Sequence, residues 1–137
     1  MGKRSTSRRL AMQALYQSDL SGVGIETAIK NISESEKFIA ETIAFASQLA
    51  TSAWEAKGTI DKIISKLAID WPLDRIGKVD RNILRLAIQE LRLKETPVSV
   101  VINEAVEMAK KYSGEEAAKF INGILGTYVR EREKAAG

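Results

Sequence analysis

Glycine and proline are missing from residues 25–57, 59–71, 78–96, 98–113 and 115–122 of this chain. Runs of that length suit helices, whereas short strands would need turn residues between them far more often. Only 9 Gly and 2 Pro are spread over 137 residues, too few for the many tight turns of an all-β sandwich. The expected class is therefore all-α. A chain of this length buries roughly two-thirds of the surface its unfolded form exposes, enough for one domain spanning 1–137.

Apolar spacing divides the chain into about seven helices. Leu10, Ala14, Leu15 and Leu20 predict a first helix from about Ser7 to Asp19, with Ser7 as its N-cap, preceded by a basic, flexible head at 1–6. Gly22 and Gly24 end it, and Ile25–Ile32 forms a short second helix. Ser33 and Glu36 have capping-box spacing and open a long third helix, whose stripe is Ile39, Ile43, Ala46, Ala50 and Ala53. Gly58 closes that helix, and Thr59 caps a fourth containing Ile60, Ile63, Ile64 and Leu67. After the Trp71-Pro72 break, Asp80 to Lys94 carries apolar residues on more than one face, so this helix is expected at the centre. Pro97 starts a sixth helix with Val98, Val101, Ile102, Ala105, Ala109 and Tyr112 turned to the core. The last helix carries Phe120, Ile121, Ile124, Leu125, Tyr128 and Val129, and 131–137 is expected to fray. Gly123 is expected to admit a neighbouring helix at close range, and Asn103 and Asn122 to hydrogen-bond between helices. No stretch approaches the 18 uninterrupted apolar residues of a membrane span.

Chemistry is limited by what is absent. The chain has no Cys and no His, which removes disulfides, Cys/His metal sites, and Ser-His or Cys-His relays. No cofactor is expected. Asp70, Asp74 and Asp80 stand close together, but Arg75, Lys78 and Arg81 are interleaved as counter-charges. Glu104 and Glu107 read as a solvated face, and Gly22-Val23-Gly24 lacks the rest of a nucleotide fingerprint. The chain reads as a binding protein and not an enzyme.

The formal charge is +3, and it is unevenly placed. Residues 1–9 hold Lys3, Arg4, Arg8 and Arg9 with no acid, while the rest of the chain is close to neutral. Such a head suits phosphate backbones or anionic surfaces. A solubilising tail or an organellar transit peptide has the same composition, and charge leaves these readings open. A secretory signal is excluded, because Gln13, Gln17, Ser18 and Asp19 interrupt Leu10–Leu20.

Three blocks supply a resemblance. Arg8-Arg9-Leu10-Ala11-Met12-Gln13-Ala14-Leu15-Tyr16, the central run Val79 to Leu91, and Pro97 to Lys110 followed by Lys119 to Leu125 resemble, in order, the opening, central and last two helices of the NusB family of bacterial transcription antitermination factors. The resemblance implies two small helical bundles. It also implies binding to boxA-type single-stranded RNA of ribosomal RNA leaders, together with NusE, a small-subunit ribosomal protein, in the elongating RNA polymerase complex. It places the protein in the cytoplasm, where the absence of Cys fits, and a homodimer is compatible with it. NusB-like modules also accompany RNA methyltransferases, and a helical adaptor without an RNA role is a further alternative.

Carried over residue by residue, the resemblance puts Lys3, Arg4, Arg8, Arg9, Gln13 and Tyr16 on the RNA-facing front, with Glu116, Lys119 and Phe120 further along the RNA path. Tyr16 and Asp80 would face the ribosomal protein. Arg8 and Tyr16 lie about 80° apart around a helix, so they can share a broad face. There phosphates would meet the guanidinium and a base would stack on the phenol. Core packing is the competing role for Tyr16 and Phe120, and capping of the central helix for Asp80. Gln89 and Gly126 depart from the family's usual Tyr and acidic residue, and Ser7 replaces a frequent Ala.

Overall fold

The computed structural model describes residues 3–136, and its helices are α1 (Lys3–Ser21), α2 (Ile25–Ser35), α3 (Ala40–Glu55), α4 (Lys57–Leu67), α5 (Lys78–Leu93), α6 (Val98–Tyr112) and α7 (Glu115–Ala136). A single 3₁₀ turn, Leu73–Arg75, leads into α5. The all-α class and the count of seven helices agree with the pattern read from the sequence.

α5 is the hub. Every residue from Asn82 to Leu91 is buried, because α1, α3, α4, α6 and α7 all pack on this helix. The two helical groups, α1–α3 and α4 with α6 and α7, thus share one central element. Ile83, Leu84, Leu86, Ile88 and Leu91 lie at its core, each at most 1% exposed. Burying each such side chain contributes about 1.5–3 kcal/mol, which makes α5 the main source of cohesion between the groups. Leu10, Ala14 and Leu15 of α1 are buried in the core, as their spacing predicts.

Several boundaries differ from the sequence reading, each for a local reason. α1 begins at Lys3 and takes residues 3–6 into its first turns. Ser7 is no N-cap: it is buried inside the helix and its hydroxyl donates to the Thr42 carbonyl of α3 at 2.8 Å. Ser33 and Ser35 belong to the end of α2, where their hydroxyls donate back to the Lys30 and Ile32 carbonyls. Serine serves either end of a helix in this way, so the capping-box spacing misled. α3 starts later, after Ile39, which is exposed and off the core stripe.

Gly58 lies in the first turn of α4 and ends nothing, and Thr59 follows it inside the helix. The chain reverses instead where the backbone enters the left-handed region, at Gly22 (φ 79°), Lys94 (φ 58°) and Gly114 (φ 132°). α7 continues through 131–136, and Arg132 Nη1 donates to the Leu91 carbonyl at the end of α5, 2.7 Å away. Gly123 faces open space, and Asn103 and Asn122 are exposed rather than set between helices.

Candidate nucleic-acid interface

The faces of α1 decide which of its basic residues can meet a ligand. Taking 3.6 residues per turn, Arg9, Gln13 and Tyr16 fall within an arc of about 60°, while Arg8 and Arg4 point about 100° and 140° away from Arg9. Arg9, Gln13 and Tyr16 are all half-buried, with part of each side chain open to solvent. Arg9 donates to Gln13 Oε1 at 3.5 Å and pairs with Glu36 at 3.4 Å on the exposed side. An exposed pair of this kind is weak and screened by salt, so Arg9 is available to a phosphate.

Arg8 is a different case, and here the structure corrects the sequence reading. The residue is only 4% exposed. Its Nε donates to Glu90 Oε1 at 2.8 Å, its Nη2 to Glu90 Oε2 at 2.6 Å, and its Nη1 to Glu104 Oε1 at 3.2 Å. The hydrogen bonds and charge of Glu90 outweigh desolvation and raise the Arg8 pKa. A buried guanidinium bonded to two carboxylates holds α1 to α5 and α6 and is poorly placed to meet RNA. Glu104, expected on a solvated face, is the second anchor, and Ser5 donates to the same oxygen. Arg4 is exposed and lies over the Phe45 ring, 3.7 Å from its centroid. The side chain of Lys3 lies outside the described residues.

The second group of predicted residues is brought together in space. Asp80 at the start of α5, and Glu116 and Phe120 in the first turns of α7, line one groove with Trp71, Arg75 and Ser113. Glu116 and Lys119 are exposed, and Phe120 is half-buried against the core, so its packing role holds for part of the ring. Asp80 does not cap α5, whose N-cap Gly77 receives no side-chain bond. Its Oδ1 is buried without a partner, as are Gln17 Oε1 and Ser18 Oγ near the end of α1.

What fixes this end of α1 is a second polar cluster that the sequence did not reveal. Lys78 and Arg81, expected to offset Asp70, Asp74 and Asp80, instead converge with Arg85 on Asp19, at 3.7, 3.9 and 3.1 Å. Arg85 also grips Asp61 of α4 through two bonds of 2.8 Å, and Asn82 donates to Asp19 at 3.0 Å. Burial pushes the Asp19 carboxyl up, but the Asn82 hydrogen bond and the three cations outweigh it and hold the pKa below its ordinary value. With Arg8 on Glu90 and Asp19 on Asn82, α1 runs antiparallel to α5. Tyr16, one turn before Asp19, therefore stands towards the end of α5 that carries Asp80.

The sequence also missed the surface joining the two groups. A cleft between α1 and α6 is lined by Ser5, Thr6, Arg9, Met108, Lys111 and Tyr112, and the chain passes from Tyr112 straight to Ser113 in the Asp80 groove. Tyr112 was expected in the core, but it ends its helix and is 36% exposed. Among the described residues no group of Asp and Glu could hold a metal ion, and no helix is long and apolar enough to cross a membrane.

Comparison with known proteins agrees with the fold. The sequence profile of the NusB family matches residues 5–130. The transcription antitermination protein NusB of Bacillus subtilis (strain 168) is 41% identical over 134 residues, covering 97% of this chain and 99% of that protein. Its counterpart in Dehalococcoides mccartyi (strain CBDB1) is 38% identical over 90% of this chain and 87% of its own length. Among solved structures, T. maritima NusB superposes with a TM-score of 0.86 at 34% identity, over 93% of this chain and 91% of that one. A crystal structure of the antitermination factors NusB and NusE in complex with dsRNA gives a TM-score of 0.85 at 34% identity, over 91% of this chain and 94% of that one. In sequence and in fold, this chain belongs to the NusB family.

Proposed function

We propose that the protein is an RNA-binding transcription antitermination factor that works with NusE. The observation that carries this reading is likeness over nearly the whole chain to proteins named for transcription antitermination, one of them solved with NusE and dsRNA. The geometry offers a matching surface: Arg9, Gln13 and Tyr16 on α1, with Glu116, Lys119 and Phe120 at the start of α7. In the finer reading, this surface takes boxA-type single-stranded RNA of ribosomal RNA leaders, and the Tyr16 and Asp80 end meets NusE. The pair then joins the elongating RNA polymerase complex in the cytoplasm. A homodimer formed through the first helix would mask the same face.

The reading is of a binding protein without catalysis. Phosphates would be met by Arg4, Arg9 and Lys119, whose charged ends reach solvent, and bases by aromatic edges. The deciding experiment titrates labelled boxA-type RNA with the protein alone and with NusE. Weak binding alone and much tighter binding by the pair is the expected result. Equal affinity for a scrambled strand would remove the sequence specificity, and no gain from NusE would remove the partnership.

A further inference from the structure

The geometry points to the cleft between α1 and α6 as an additional stretch of the RNA path, with Tyr112 as a base-stacking platform and Lys111 as a phosphate contact. This inference rests on the RNA-binding reading above and adds two residues to it.

Four observations carry it. Tyr112 lines the cleft and is 36% exposed, although helical spacing would turn it to the core. Lys111 Nζ is 5.4 Å from the centre of that ring, and no carboxylate pairs with this lysine among the described residues. Of the acids lining the cleft, Glu104 is held by Ser5 and Arg8, and Glu107 is in an exposed pair with Lys110 at 3.4 Å. Two cations, Arg9 and Lys111, line the cleft with the Tyr112 ring, and the Ser5 and Thr6 side chains share it. Cations that follow a backbone beside a ring that takes a base are the means by which single strands are held.

Position strengthens the case. Tyr112 joins Ser113, which lines the groove of Asp80, Glu116 and Phe120. A strand running from Arg9 to Phe120 crosses the Tyr112 ring on the way. A paired base has no free face, so the platform selects an unpaired nucleotide.

The test measures binding of the full chain, with NusE present, to a short fluorescein-labelled single-stranded RNA and to the duplex of the same sequence. Tyr112→Ala should weaken single-strand binding by about 5- to 150-fold, and Tyr112→Phe, which keeps the ring, should recover it. Lys111→Gln should reduce the log–log salt slope by about 0.7. Thermal unfolding of Tyr112→Phe and Lys111→Gln should match the parent, since the first keeps the ring and Lys111 is exposed. If Tyr112→Ala and Lys111→Gln bind like the parent while Lys119→Gln binds more weakly, the cleft lies off the path and the inference fails alone. If Tyr112→Ala weakens strand and duplex equally, stacking is wrong. If the parent binds neither RNA, the RNA-binding reading falls and takes the cleft with it.

Discussion

Arg8 of the leading helix and Glu90 of the central helix meet in a two-pronged ion pair, 2.8 and 2.6 Å long, with both side chains about 95% buried. The residue that sequence places foremost on a ligand-binding front is thus a strut. It sets the angle at which α1 presents Arg9, Gln13 and Tyr16.

That pair makes a stability prediction. Glu90→Ala leaves a buried guanidinium with only Glu104 beside it, and breaking such a pair costs about 3–5 kcal/mol. Thermal unfolding should shift down by roughly 10–15 °C for a chain of this size. Arg8→Ala should cost a comparable amount, and the double variant less than the two added together. Additive losses would show that the two residues act independently.

Arg9 and Lys119 should behave in the opposite way. Arg9→Gln and Lys119→Gln should leave unfolding within about 0.5 kcal/mol of the parent, because both act at the surface. Each should reduce the salt slope of single-strand binding by about 0.7 if it meets one phosphate. An unchanged slope would take that residue off the RNA path.

Tyr16 and Asp80 separate the two partners. Tyr16→Ala should weaken RNA binding by about 1–3 kcal/mol if a base stacks on the ring. A loss of stability with unchanged affinity would instead mark Tyr16 as a packing residue. Asp80→Ala should weaken the complex with NusE by about 1 kcal/mol or more while RNA binding by the chain alone stays the same. Calorimetric titration with NusE reads this directly.

Asp19 makes stability depend on acid. Its carboxyl is held below the ordinary value of 3.8 in the folded protein, so as pH falls the unfolded chain takes up the proton first. The stabilisation is complete above about pH 4 and drains away as the pH drops through the lower, folded value. Asp19→Asn should flatten that part of the stability profile, measured by urea unfolding between pH 5 and 2. The slope with pH is positive there because the unfolded state binds more protons. A variant that kept the parent's acid sensitivity would shift the cause to other carboxylates.

Much of the fold was legible because helix periodicity is a local property. Leu10, Ala14 and Leu15, and the nearly continuous apolar run of α5, declare which side must be buried whatever covers it. The errors fell where one residue type serves two local purposes. Ser33 and Ser35 can begin a helix or close one, and Gly58 can stop a helix or sit harmlessly in its first turn. Local spacing has no means of choosing between these.

The sequence by itself determined the helical class, the hub position of α5, the cationic leading segment and the family. All of these follow from residue type, spacing and order along the chain. Only the tertiary structure decided the fate of individual charges. Glu90 lies 82 positions from Arg8, and Asp19 lies 66 from Arg85, yet each pair closes within 3.1 Å. Whether an arginine is free for a phosphate depends on which carboxylate the packing of helices brings beside it. That is a long-range fact, and no pattern along the chain contains it.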